Sequence, residues 1–414
     1  MSAALDRQRA DELSIEAGRV FSPSAPIDER ALFAGRRKEI RQVLDAVNQK
    51  GRHAIIYGDR GVGKTSLANV LTSFLPPGGP VFSRRINCDT GDSFNSLWEK
   101  VFSEVQGQQT SAVGGFQGPS QRPRADANQD VISPEVVRRQ LTIWANDSHP
   151  ILIIDEFDRI DDRYRTIFAD TIKTLSDHAV RATVIFVGVA DSVDQLMAEH
   201  ESIQRALEEV KMPRMTSDEI KEVIQKGLSH LGMDIDEDAL QRITLLTQGL
   251  PHYAHLLGLH ASRTALDSLS LRIRMDTLDA AIKRALEGAQ QTVRSAYQAA
   301  TISPRKDNLF ADVLLSCALA KTDDLGAFAA QDVRVPMQAI TGKPYDIPNF
   351  AQHLFEFSDS KRGNILKKFG AKKRFRYRFT NPLMQPFVIM RGFAEGRVTN
   401  EVLGKLARPD GMLF

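Results

Sequence analysis

The chain has 414 residues, 42% of them hydrophobic and 26% charged, and its 54 Lys+Arg against 52 Asp+Glu leave a net charge of +2. This composition excludes global disorder, and at roughly 100–200 residues per domain the length holds two or three domains. Two distant cysteines, Cys88 and Cys317, exclude a disulfide framework or structural zinc site, and no apolar run approaches the roughly 20 residues that span a bilayer, so a cytoplasmic protein without a membrane partner is expected.

Residues 1–30 form an N-terminal extension rich in Asp, Glu and Arg, without the apolar stretch of a secretory signal. From 31 to 215, short β-rich runs at 53–57, 81–87, 151–154, 183–187 and 207–212 alternate with helical periodicity. That alternation predicts an α/β domain, a parallel sheet covered by helices. Residues 106–130, rich in Gln, Gly, Ser and Pro, read as a flexible insertion in it. Residues 216–301 carry helical patterns only, with start signals at Ser217 and Asp236, a turn at Gly249-Leu250-Pro251 and a connector at the end. A third domain covers 302–396 and a tail 397–414. The third domain opens with amphipathic helices at 309–320 and 347–357 and closes with the alternation RFRYRF at 374–379. Period two predicts a strand with aromatic residues on one face and cations on the other.

The strongest motif is GDRGVGKT, Gly58, Asp59, Arg60, Gly61, Val62, Gly63, Lys64 and Thr65, followed by Ser66 and a helical pattern and preceded by the strand HAIIY. In such a loop the glycines let backbone N–H groups turn toward phosphate oxygens, and the helix N-terminus favours their charge. Lys64 would reach the β and γ phosphates and the Thr65 hydroxyl would coordinate Mg²⁺, which makes ATP and Mg²⁺ the expected cofactors. The run PILIIDEFD at 150–158 supplies the second half of the chemistry. Asp155, at the end of a buried strand, would hold the hydrated metal, and Glu156 would orient and activate water. The strand VFSRRIN lies between these motifs in sequence and ends in Asn87, a candidate switch residue for the glutamate or an ordinary turn former.

On these residues, and on LFAGRRKEI at 32–40, the chain resembles AAA+ ATPases of the origin-recognition/Cdc initiator type, with features shared by STAND and transposition-regulator ATPases. The resemblance implies an AAA+/ASCE-type parallel P-loop sheet, an α-helical lid over 216–301 and a C-terminal winged helix. It further implies that Gly35 and Arg36 lie beside the adenine. It sets the strand at 183–187 and Asp191 at the sensor 1 position, where an anion would repel the γ-phosphate; Ser192 or a purely structural strand are alternatives. Pro251 and His252 fall at the sensor 2 position, where His252 would contact phosphate or cap a helix. Arg205 falls at the arginine finger that acts across a homo-oligomer, against a plain surface arginine or Arg214 in its place.

Helix, helix and basic hairpin is the order of a winged helix. Its basic residues are Lys361, Arg362, Lys367, Lys368, Lys372, Lys373, Arg374, Arg376 and Arg378, with no acid among them. Since the whole chain carries +2 and this segment alone nine positive charges, the remainder stands at −7. One-signed clustering of this kind favours phosphate contacts and makes duplex DNA the expected partner; the alternative is a winged helix that docks a protein partner, as in STAND-like regulation.

Overall fold

A computed structural model describes residues 5–23, 34–74, 81–109, 131–197, 203–304, 308–323, 326–371 and 374–406. They form two compact units. One comprises Arg36–Asp59 and Lys64–Met212; the other comprises Met1–Gly35, Arg60–Gly63 and Pro213–Phe414.

The first unit is built on five parallel strands: β1 (His53–Gly58), β2 (Val81–Asn87), β3 (His149–Asp155), β4 (Thr183–Val189) and β5 (Leu207–Lys211). Their spatial order is β2-β3-β4-β1-β5. The strand that separates the P-loop strand from the Asp155 strand is therefore β4. The run VFSRRIN, which stands between the two motifs in sequence, is β2 at the sheet edge. Its composition explains the place: β4 is TVIFVGV, buried along almost its whole length, whereas β2 carries Arg84 and Arg85 and is largely solvated. A strand covered on both faces takes a continuous apolar run, and two arginines do not fit there. Behind β3 and β4, Phe157 meets Phe186 at 4.6 Å and Phe168 at 5.0 Å between ring centroids, so the residue after Glu156 is anchored in the core. The helix Phe94–Gln109 extends into the stretch expected to be a flexible insertion, because its helical pattern runs past residue 106; residues 110–130 lie outside the described residues.

His53 opens β1 with no exposed surface, and its Nδ1 accepts the Val184 N–H at 3.0 Å. Nδ1 must then be unprotonated and the ring neutral, and burial lowers its pKa from 6.5 to about 3. The unfolded chain binds the proton between these values and the folded chain does not. This contribution to stability is therefore whole above pH 6.5 and is lost at up to about 1.4 kcal/mol per pH unit as pH falls toward 3. Urea unfolding at stepped pH should show that slope, and His53→Gln, which keeps an acceptor and cannot titrate, should flatten it.

The second unit joins the N-terminal helix Arg7–Val20 to the helices Ser217–His230, Glu237–Thr247, Pro251–Asp267 and Met275–Glu287. Thr216 caps the first of the four through a reciprocal capping box with Glu219, as the start signal implies. Two short parallel strands, β6 (Asp234–Ile235) and β7 (Arg272–Ile273), tie the set together. Within the stretch read as an N-terminal extension, residues 7–20 form this helix. Ala10, Leu13, Ala17 and Val20 recur every three or four residues, and this buried stripe gives the helix a face to pack against the lid.

After the connector helix Gln291–Thr301 come Phe310–Ala318, β8 (Phe328–Ala329), Arg334–Thr341, Ile347–Phe357, β9 (Leu366–Phe369) and β10 (Arg376–Phe379), the element order of a winged helix. The small sheet is antiparallel in the order β8-β10-β9. In β10 Tyr377 and Phe379 are buried and Arg376 and Arg378 half-buried, as the alternation requires. The helix Met384–Ala394 packs the winged helix onto the lid, with the Arg242 guanidinium 4.4 Å from the Phe393 ring centroid. Asn400–Leu406 adds a short helix in the stretch read as a tail. Among the described residues no helix is long and apolar enough to cross a membrane.

Candidate nucleotide site

β1 delivers the chain to Gly58, which has a φ of +150° and lies so close to the Met212 carbonyl oxygen that any Cβ would collide with it, so the position admits only glycine. Gly61 and Gly63 also have positive φ, +84° and +93°, and Val62 between them is fully buried. Lys64 opens the helix Lys64–Val70, and its ammonium donates to the Gly58 and Asp59 carbonyls at 3.0 and 2.8 Å. The lysine is thereby folded back along the loop it follows. Thr65 and Ser66 sit half-buried in the first helical turn.

The loop apex, Arg60–Gly63, clusters with the helical unit. A Cβ on Gly63 would lie 3.7 Å from Pro251 Cγ; one on Gly61 would lie 3.0 Å from Leu383 Cδ2 and 3.8 Å from His252 Cβ. His252 Nδ1 donates to the Pro23 carbonyl at 2.9 Å. A carbonyl only accepts, so the neutral ring keeps a lone pair on Nε2 and has no second proton to offer a phosphate. Burial lowers the His252 pKa, with Arg60 acting in the same direction, which makes the doubly protonated form costlier still. His252 therefore acts here as a tie to the N-terminal segment.

Asp155 closes β3 at 2% exposure. Its Oδ1 accepts the Glu156 N–H at 2.8 Å; among the described residues its Oδ2 receives no hydrogen bond, and it lies 3.0 Å from Arg85 Nη2. Glu156 has φ +56° and pairs with Arg159 at 3.2 Å, both side chains being nearly half exposed. Asn87 stands opposite Asp155 in the β2–β3 register and is exposed. Gly58 stands opposite Val189, so the end of β4 is brought beside the P-loop strand. There Asp158 Oδ1 accepts the Val189 N–H at 2.8 Å, and the Asp191 N–H donates to Gln195 Oε1 at 2.9 Å as Ser192 leads into a short turn. Arg85 and Arg159 are absent from the site that the sequence motifs define. For Arg85 the available signal is an arginine pair inside an otherwise strand-like run.

Gly35 and Arg36 both adopt left-handed backbone, φ +68° and +59°. Gly35 N donates to Glu222 Oε2 at 3.3 Å, and a Cβ there would meet Glu219 Oε1 at 2.7 Å. Arg36 is buried, with Nη1 3.6 Å from Glu39 Oε1. Arg205 is exposed just before β5, whereas Arg214 donates to Gln385 Oε1 at 2.7 Å and to the Gln248 carbonyl at 3.4 Å. Those bonds commit Arg214 to holding its own unit together.

In sequence, residues 26–340 match the Novel STAND NTPase 1 family. The chain belongs to that family. It is a STAND-type P-loop NTPase. No curated protein matches it in sequence. Among solved structures a Walker-type ATPase of Pyrococcus abyssi is similar in fold, with 17% identity over 89% of this chain and 99% of that one and a TM-score of 0.50. The ORC1 protein of Aeropyrum pernix, solved in complex with DNA, aligns at 15% identity over 92% of this chain and 97% of its own, TM-score 0.46. Cdc6p of Pyrobaculum aerophilum aligns at 14% over 92% and 99%, TM-score 0.47.

The winged helix of this STAND protein spends part of its positive charge internally. Arg362 donates to the Ala300 and Ile302 carbonyls at 3.1 and 2.6 Å, lies 3.4 Å from Glu356 and stacks 3.5 Å from the Phe310 ring centroid. Arg376 pairs with Asp323 at 2.9 Å and donates to the Ala327 carbonyl at 2.7 Å. Charge clustering in the sequence directs both toward DNA; in the structure their forked donors instead close gaps between elements. Lys368 sits 3.8 Å from the Phe375 ring centroid and 5.8 Å from that of Phe355. Lys361, Lys367 and Arg374 are exposed, Arg378 is half-buried opposite Lys367, and Lys372 and Lys373 lie outside the described residues.

Proposed function

We propose that the chain is an ATP-binding, slowly hydrolysing switch whose winged helix docks onto duplex DNA. The observation that carries the switch is the packing at the loop apex, where Gly61 lies beside Leu383 and Gly63 beside Pro251. Phosphate binding at the loop would then bear directly on elements that present the partner surface, the condition for a nucleotide to bias two states. Asp155 Oδ2, which among the described residues receives no hydrogen bond and faces only the Arg85 guanidinium at 3.0 Å, suits a metal-bound water, and with the Thr65 hydroxyl it would hold Mg²⁺. When bound, Mg²⁺ would neutralise charge on the phosphates. Lys64 would exchange its two loop carbonyls for phosphate oxygens. Glu156 would orient and deprotonate water after leaving Arg159, a half-exposed pair that is weakly held. Exposed Arg205 suits a finger reaching a neighbouring copy of the chain.

The DNA reading is supported by the exposed cations Lys361, Lys367 and Arg374, which the phosphates of a duplex backbone would neutralise. With Lys367, Lys372, Lys373 and Arg374 replaced by Ala, duplex affinity should fall at low salt, and the slope of log K on log salt should shrink by about 0.9 for each phosphate no longer neutralised. Anisotropy titrations at two salt concentrations measure both. A second reading, docking of a protein partner, is favoured by the helix Ile347–Phe357. That helix carries no Lys or Arg and leaves Phe355 54% exposed. Absence of duplex binding at low salt would favour it.

A further inference from the structure

Arg85 sits on β2 opposite Ile153, two residues before Asp155 on the same face of the sheet. Its Nη2 lies 3.0 Å from Asp155 Oδ2, and its Nη1 donates to Asn69 Oδ1 at 2.9 Å on the helix that follows the phosphate loop. One guanidinium thus bridges the two elements that carry the phosphate and metal ligands. A carboxylate at 2% exposure requires a counter-charge, and unpaired it would also repel an incoming polyphosphate. The Asp155 side chain is 3% exposed and that of Arg85 31%, so the acid is fixed in the fold while the arginine has solvent to move into.

We propose that Arg85 is a positioning residue and resident counter-ion of Asp155, which balances the carboxylate until Mg²⁺ takes over its charge. Nucleotide would then enter a phosphate site that is not net-repulsive even without metal, and holding Mg²⁺ there would require Arg85 to release Asp155 Oδ2. The inference rests on the ATP and Mg²⁺ reading above and adds the prediction that this site tolerates metal-free nucleotide because of an arginine on β2.

The test is anisotropy of a fluorescent ATP analogue with the full chain, in millimolar Mg²⁺ and in EDTA, for wild type, Arg85→Lys and Arg85→Gln. The ratio of the EDTA to the Mg²⁺ dissociation constant should rise about tenfold or more in Arg85→Gln, a change of about 1.4 kcal/mol, and stay near wild type in Arg85→Lys, which keeps the charge. In an Asp155→Asn background, Arg85→Gln should leave EDTA binding unchanged, since the charge to be balanced is gone; this arm remains decisive if the single variant folds poorly. An unchanged ratio, or equal weakening with and without metal, overturns the inference and leaves Arg85 a structural tie. If wild type fails to bind the analogue even in Mg²⁺, or Lys64→Ala binds as well as wild type, the nucleotide reading itself fails.

Discussion

Glu156→Gln is expected to keep ATP binding and lose about 10²–10⁴-fold in turnover, whereas Lys64→Ala is expected to lose binding itself, by about 2–5 kcal/mol. The two differ because they act on different steps. Glutamine at 156 preserves size and can orient water, but it cannot take the proton. The geometry protects the comparison: Phe157 is locked in the core beside Phe168 and Phe186, so the backbone at 156 should hold its place. Lys64, buried and lodged on the Gly58 and Asp59 carbonyls, is the cation of the phosphate loop itself. Equilibrium binding of a fluorescent ATP analogue and phosphate release under single-turnover conditions separate the two effects. Normal hydrolysis by Glu156→Gln would place the base elsewhere.

The largest expected effect on stability lies far along the chain from the phosphate loop, at Phe21. Its ring is fully buried, lies edge-on to His255 at 6.1 Å between centroids, and occupies the space that glycines vacate on two lid helices. A Cβ on Gly227 or on Gly258 would run into the ring. Glycine in a helix interior costs about 1 kcal/mol relative to alanine, so both positions forgo helix stability to admit the aromatic side chain. Phe21→Ala should destabilise the chain by about 3–5 kcal/mol, and Gly258→Val should be comparably damaging because the side chain enters occupied space. Urea denaturation measures both. A loss below about 1 kcal/mol for Phe21→Ala would mean that the N-terminal helix is not integral to the lid.

Much of the P-loop fold is legible in the amino-acid sequence, for physical reasons that stop at identifiable residues. The runs HAIIYG, HPILIID and TVIFVGV are continuous and apolar because sheet centres are covered on both faces, and glycines at 58, 61 and 63 mark backbone that other residues resist. Periodicity carries no information on lateral strand order, which is why sequence order puts β2 between the motifs and the sheet puts β4 there. Charge counting treats nine cations as one surface. Only three-dimensional packing reveals that Arg362 and Arg376 satisfy carbonyls and acids of the connector and of their own domain. The hydrophobic stripe Ala10, Leu13, Ala17, Val20 is visible in the N-terminal segment, but the lid helices it packs against come together only once distant parts of the chain fold.

The family membership, the left-handed phosphate loop and the adjacent carboxylates at the end of β3 all bear on whether a nucleotide operates this protein as a switch. Hydrogen exchange of the helix Met384–Ala394 and of residues 58–66 tests this most directly, with wild type and Lys64→Ala each compared without nucleotide, with ADP and with ATP. The account predicts that ATP changes protection in both segments of the wild type, that ADP gives a different pattern, and that Lys64→Ala shows neither change. Saturating ATP that protects residues 58–66 and leaves Met384–Ala394 exchanging as before would contradict it.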